Sequence, residues 1–268
     1  MKKIKSFNSN GYLYKKQIIS KSVIKEIKKN MISIMSNYVR ISKYKDIDHV
    51  LDKAFIDISK KSPELRSNIF KAFCQLYTIP KLIYQKQFSH FLKSIGFKNP
   101  IIIGFGILAM EPNEKRFLFN LHQDLRTIFA SYHSANLWIP LTSGNDLGGM
   151  GLYNKSYELG PIKHHVSKVN GHEEVNHKYT KKFTETKITN LQEGDCFIFS
   201  PFSLHYSIPN LGNKIRWTAR LVLDDASKSK HFNKTFEPYN RKVYCDTRTN
   251  EERLIAKFGK FKKIIKNV

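Results

Sequence analysis

Pro100 divides the chain into two kinds of pattern, and that division restricts the fold more than any other feature of the sequence. Before it, apolar residues recur at helical spacing. Val23, Ile27, Met31, Ile34 and Met35 predict a helix from Ser20 to about Val39, with Ser20 or Ser22 as its cap. Ser62-Pro63-Glu64 opens a second helix whose apolar face is Leu65, Ile69, Phe73 and Leu76, and a third runs from about Lys81 to Ile95 and stops at Gly96. After Pro100, strand signals dominate. Ile101 to Met110 is a buried strand that ends in the turn Glu111-Pro112-Asn113; Asn136 to Leu141 is a short apolar stretch; Cys196 to Phe199 follows the turn Glu193-Gly194-Asp195; and Ile215 to Leu223 alternates as a sheet strand does. Short strands behind a helical first third predict a mainly β architecture with flanking helices, a jelly-roll or barrel. A chain of 268 residues suits one such domain. Its parts would be helical support over 1–99, a core over 100–225 and an extension over 226–268. Residues 155–187, with little apolar periodicity and four histidines (His164, His165, His172, His177), form an insertion of the kind that serves as a lid or mobile segment.

Charge narrows the function classes only a little. Forty-six basic residues against 22 acidic ones give +24, which suits an anionic partner: nucleic acid, a membrane surface, or a phosphorylated or carboxylated substrate. Only nine of the basic residues are Arg, however, and the lysines are scattered, which favours a solvated surface over a nucleic-acid interface. Cys74, Cys196 and Cys245 are odd in number and lack zinc spacing, so a reducing compartment is expected and a disulfide framework is not. The basic start at Met1 has no apolar core behind it, and the longest apolar run, Ile101 to Met110, is too short for a bilayer. A cytoplasmic protein without a membrane span is the expectation. The end of the chain, 251–268, could form a packed terminal helix or a basic amphipathic one.

Two fragments carry chemistry. His122-Gln123-Asp124 places an imidazole and a carboxylate two residues apart, so that on a strand both project from one face. His205 follows a turn and a buried strand. Two imidazoles and one carboxylate are the donor set that holds Fe(II) on one face and leaves the opposite positions open. A lone HxD is weak, and a lone His is more often a core residue bonded to a carbonyl; the set of three is what makes a metal site plausible. Arg216 and Arg220 share a strand face with Thr218 between them, and a buried guanidinium wants a carboxylate for its planar fork. Spacing alone does not choose between the two arginines.

Taken together, Leu121-His122-Gln123-Asp124, Leu137-Trp138-Ile139-Pro140-Leu141, Leu147-Gly148-Gly149-Met150-Gly151 and the stretch from Gly194-Asp195 through His205 to Arg216-Trp217 resemble the phytanoyl-CoA dioxygenase-like branch of the Fe(II)/2-oxoglutarate oxygenases. The resemblance covers about 11–225. It implies a double-stranded β-helix (jelly-roll, cupin-like) core, Fe(II) as cofactor on His122, Asp124 and His205, and 2-oxoglutarate as cosubstrate. It also implies that Arg216, eleven residues beyond the distal His, holds the far carboxylate of 2-oxoglutarate, which selects it over Arg220. Ser207 would assist, and Trp138 would line the cosubstrate pocket. The implied reaction couples oxidation of 2-oxoglutarate to succinate and carbon dioxide with hydroxylation of an unactivated C–H bond by molecular oxygen. Where the family commonly has a Pro-Gly-Ser-His turn, this chain has Asn154-Lys155-Ser156-Tyr157, so the resemblance says nothing of substrate contacts there. Arg126 and His133 are candidate substrate contacts. A small polar or anionic metabolite is the expected substrate; a lipid or acyl-CoA, or a jelly-roll module that binds metal without catalysis, are the alternatives. Neither a nucleic-acid partner nor an oligomeric state is indicated.

Overall fold

The computed structural model of the protein describes residues 9–41, 46–115, 118–124, 133–167 and 172–227. Arg126, Cys245 and the terminal segment 251–268 lie outside the described residues. Five helices fill most of the described residues before Pro100: α1 (Lys21–Met35), α2 (Ile47–Lys61), α3 (Pro63–Phe73), α4 (Lys81–Tyr84) and α5 (Lys86–Ser94). The expected cap acts at Ser62, whose hydroxyl accepts from Leu65 N–H with Pro63 in the first turn, whereas Ser20 stands at the N-cap of α1 without a side-chain capping hydrogen bond. Two differences have local causes. α2 was not anticipated, although Asp46 caps it and Val50, Leu51, Ala54, Phe55 and Ile58 form its buried stripe. The single helix expected over 81–95 is two, because Gln85 takes an extended backbone (φ −63°, ψ 133°) between them.

A short strand, β1 (Tyr12–Lys15), precedes the helices, and the remaining strands follow Pro100. β2 (Pro100–Met110), β3 (Ala135–Pro140), β8 (Cys196–Phe199) and β10 (Arg216–Asp225) build a five-stranded sheet with β1, in the order β1-β8-β3-β10-β2. Its neighbouring strands pair antiparallel. A second sheet has the order β7-β4-β9, with β4 (Gly149–Tyr153) between β7 (Glu185–Thr189) and β9 (His205–Ile208). These are the antiparallel sheets of a jelly-roll core, with helices packed on the outside of the larger one. Residues 155–187 are not irregular throughout. They contain two 3₁₀ turns and a small pair of strands, β5 (His165–Val166) and β6 (Glu173–Glu174), before β7 begins.

The alternation along each strand separates core from site. On β10, Trp217, Ala219, Leu221 and Leu223 join the helices in one apolar cluster, as do Leu137 and Ile139 of β3 and Ile198 of β8. Phe55 of α2 and Phe73 of α3 meet Trp217 edge-on, with ring centroids 4.9 and 5.9 Å away. The opposite face of the same strands therefore presents Arg216, Thr218 and Arg220, Asn136 and Trp138, and Phe197 and Phe199 toward the second sheet. Because both faces are covered, these strands read as nearly continuous apolar runs.

Asp52 of α2 ties the helical layer to the start of β10. Its carboxylate accepts from Ile215 N–H (2.9 Å) and from the Trp217 indole N–H (2.8 Å), on both sides of Arg216. Burial pushes its pKa up to about 6, against the opposing effect of those two donors. A carboxyl raised in the folded state binds its proton more tightly there than in the unfolded chain. Its contribution to stability is therefore complete below about pH 4 and is lost as the pH rises through 6, by about 3 kcal/mol. Asp52→Asn, which cannot ionise, should gain on the wild type by roughly that amount between pH 4 and pH 7 in urea denaturation. Parallel stability curves would contradict the assignment.

Candidate metal centre

His122 N–H bonds to His205 C=O (2.9 Å), and His205 N–H bonds back to His122 C=O (3.1 Å). This isolated antiparallel bridge brings the two sequence fragments together. The HxD segment is thus not a full strand, as its spacing suggested. His122 makes one strand-like bridge, and Asp124 sits in the turn just after it, held by its N–H to Pro201 C=O (3.0 Å).

Both rings are aimed by the same device. His122 Nδ1–H donates to Asn120 C=O (2.7 Å) and His205 Nδ1–H to Ser203 C=O (2.9 Å), in each case the carbonyl two residues earlier. A carbonyl accepts only, so each Nδ1 carries the proton and each Nε2 points its lone pair inward. The ring centroids are 4.2 Å apart, and each Nε2 lies 3.5 Å from a different oxygen of Asp124. One donor atom from each of the three residues falls within 4.8 Å of the others, close enough to hold one ion. The donors are borderline nitrogen and hard carboxylate oxygen, which suits Fe(II).

Electrostatics favour the ligand form of Asp124 and of His205. Burial alone would raise the Asp124 carboxyl, but its neighbours, the Arg220 guanidinium foremost, outweigh it and hold it well below the usual carboxylate range. Burial, with His122 adding to it, lowers His205 to about 4, so its imidazole is neutral at physiological pH. Asn136, fully buried on β3, donates its side-chain N–H to Asp124 Oδ2 (2.7 Å). Arg220 brings Nη2 to 3.2 Å from the same oxygen. Sequence reasoning missed Asn136 and gave Arg220 no task, although the register that pairs Arg220 with Trp138 puts all three on one face. Asn136→Ala removes one hydrogen-bond donor of the carboxylate without touching a ligand. Metal affinity should fall by about 10- to 100-fold, read by competition with a chromophoric chelator.

Gln123, between the two HxD ligands, has a structural task that the motif did not reveal. Its buried amide donates to Gly160 C=O (2.9 Å) and Phe202 C=O (2.7 Å) and accepts from Ile162 N–H (3.0 Å). Its backbone N–H donates to His164 Nε2 (3.0 Å), whose Nδ1–H donates to Ile162 C=O (2.8 Å). The first part of the 155–187 insertion is therefore latched to the metal site through fully used hydrogen bonds.

The triad forms part of the wall of a cavity of about 520 Å³ between the sheets, lined mainly by apolar side chains such as Leu108, Met110, Phe119 and Phe199. Trp138, Ser207, Arg216 and Arg220 also line it. Arg216 stacks over Trp138, its guanidinium carbon 5.3 Å from the ring centroid. Its Nη1 donates to Leu147 C=O (3.0 Å) and Ile208 C=O (3.2 Å), while Nη2 faces the weakly accepting Met110 sulfur (3.1 Å). Burial lowers its pKa to about 10, so it stays charged. Ser207 Oγ accepts from Phe119 N–H (3.2 Å) and keeps its own proton to donate. His133 is exposed and does not line the cavity. Glu173 of β6 and His172 just before it do.

A family model settles where these residues belong. Residues 7–218 match phytanoyl-CoA dioxygenase (PhyH). The chain belongs to that family. With the His122, Asp124 and His205 triad in place, it is an iron- and 2-oxoglutarate-dependent oxygenase of the PhyH family. Solved structures share the fold at low identity. The epimerase SnoN, in complex with Fe3+, alpha ketoglutarate and nogalamycin RO, is 12% identical with a TM-score of 0.57, over 84% of this chain and 83% of its own. The alpha ketoglutarate-dependent carbocyclase SnoK from nogalamycin biosynthesis is 15% identical with a TM-score of 0.56, over 92% and 90%. The non-heme monooxygenase ThoJ is 13% identical with a TM-score of 0.55, over 83% and 77%. No curated protein matches the chain by sequence. Among the described residues of this PhyH-family protein, no helix is long and apolar enough to cross a membrane.

Proposed function

We propose that the protein hydroxylates an unactivated C–H bond of a small anionic metabolite, with 2-oxoglutarate and molecular oxygen as cosubstrates and succinate and carbon dioxide as coproducts. The observation that carries this reading is the convergence of the three ligands and Arg216 on one largely apolar cavity. Iron bound by the triad would supply the oxidising chemistry.

The chain's own residues do the positioning. The carbonyls of Asn120 and Ser203 fix the two imidazoles before any ion arrives, and Asn136 fixes the carboxylate, so little ordering remains to be done on binding. Arg216 is the proposed anchor for the far carboxylate of 2-oxoglutarate. Its Nη1 is held by two carbonyls and its plane rests on Trp138, leaving the fork pre-aimed. Ser207, which lines the same cavity, is the proposed second donor to that carboxylate. Phe199, edge-on to His205 at 4.8 Å, and the apolar lining keep water from the reacting centre.

SnoN is an epimerase and SnoK a carbocyclase, so the fate of the oxidised carbon is the part to test. Succinate release is to be screened over a panel of carboxylated and phosphorylated metabolites under ¹⁸O₂. Hydroxylation predicts a product that gains one labelled oxygen atom. Substrate-stimulated succinate with an isomerised, cyclised or desaturated product would replace hydroxylation while leaving the oxygenase assignment intact.

A further inference from the structure

Arg220 is the second guanidinium on the cavity face of β10, and the reaction described above leaves it without a ligand. Its bonding differs from that of Arg216. Arg216 donates to backbone carbonyls, whereas Arg220 donates no hydrogen bond to any described residue, and its buried Nη2 is without an acceptor. The contact with Asp124 Oδ2, at 3.2 Å, is an ion pair outside hydrogen-bond geometry. A buried N–H with no acceptor is costly, and a native structure that keeps one commonly uses it on something else.

The charges around Arg220 say what that something is. Asp124 is its one ion-pair partner among the described residues, and Asp124 is also a ligand of the proposed metal site. When Asp124 serves a dication, the guanidinium beside it faces a site whose charge has turned positive. It then needs a second anion. In the proposed reaction one carboxylate of 2-oxoglutarate would be held at the metal and the other by Arg216. Glu173, the other acidic side chain lining the cavity, stands on β6 and makes no ion pair with Arg220. Among the described residues no second anion faces Arg220, and an anionic group carried by the substrate would fill that place.

We propose that Arg220 is the substrate anchor, binding an anionic group (a carboxylate, or a sulfate or phosphate of the same charge sense) carried on an apolar body. The body fits against Leu108, Met110 and Phe119. Since Arg220 touches a ligand of the metal, the anchored group lies beside the reacting centre. The oxidised carbon is therefore close to the anionic group, not at the far end of the molecule.

This inference rests on the oxygenase reading, and the experiment separates the two. The Fe(II)- and 2-oxoglutarate-loaded protein is titrated anaerobically, by calorimetry, with carboxylic acids of up to about ten carbons and with the primary amide of each. A charge-assisted hydrogen bond in a desolvated site predicts acids that bind at least about tenfold more tightly than their amides. Arg220→Gln should erase that preference and Arg220→Lys should restore part of it. In Arg220→Gln, 2-oxoglutarate affinity should change less than threefold. If no acid outperforms its amide, or if Arg220→Gln keeps the preference, the anchor is overturned. A large loss of 2-oxoglutarate affinity in Arg220→Gln would overturn it too, by assigning Arg220 to the cosubstrate. If the wild type fails to take up 2-oxoglutarate at all, the oxygenase reading falls first and this one with it.

Discussion

Arg216→Gln is expected to weaken 2-oxoglutarate binding by about 30-fold to several thousandfold, the range that follows from losing one partner of a desolvated, hydrogen-bonded charge pair at about 2 to 5 kcal/mol. Fe(II) binding should be nearly unchanged, because Arg216 touches none of the three ligands: its contacts are the carbonyls of Leu147, Gly149 and Ile208, the Met110 sulfur and the Trp138 ring. Arg216→Lys should fall between, since an ammonium keeps the charge and loses the planar fork. Calorimetric titration of the Fe(II)-loaded protein with 2-oxoglutarate measures all three forms. A purely structural Arg216 would give a different pattern: a lowered melting temperature and unaltered 2-oxoglutarate affinity in whatever fraction stays folded.

His205→Ala is expected to reduce metal affinity by more than the roughly 100-fold that loss of a supporting residue can cost, and with it to take 2-oxoglutarate turnover to background. His205 is 4% exposed and its Nδ1–H is already committed to Ser203 C=O, so Nε2 has no task in the fold other than the one it shares with His122 and Asp124. The side chain also fills space against Phe199, and the variant should lose some stability as well. His205→Gln keeps more of that volume, so a folded His205→Gln that still binds Fe(II) as the wild type does would remove His205 from the ligand set. The same comparison with Asn136→Ala, which leaves all three donors in place, separates loss of a ligand from loss of its support.

How much of this could be read beforehand varied with how local the signal was. The strands at 100–110, 135–140, 196–199 and 216–225 were legible because both faces of the larger sheet are covered and the apolar runs are nearly continuous. α2 was not anticipated even though its apolar stripe is as regular as that of α1. The split at Gln85 depends on one residue's backbone and leaves no mark in apolar periodicity. In the site, the three ligands were legible as residue types, but the motif's spacing implied a strand where the chain makes one bridge and a turn. What supports them was not legible. Asn136 reaches Asp124 across strands, and Gln123 holds Gly160, Ile162 and Phe202, contacts that only the folded register creates. The choice between Arg216 and Arg220 came from resemblance, whereas the different bonding of the two guanidiniums is visible only in three dimensions.

The triad's role is tested most directly by anaerobic titration of the metal-free protein with Fe(II) in the presence of 2-oxoglutarate, followed by visible absorbance. A single site that binds both predicts a metal-to-ligand charge-transfer band that rises linearly to one equivalent of iron, persists in Asn136→Ala at higher iron concentration, and is absent from His205→Ala. No band in the wild type, or an equal band in His205→Ala, would contradict the assignment of His122, Asp124 and His205 as the iron site.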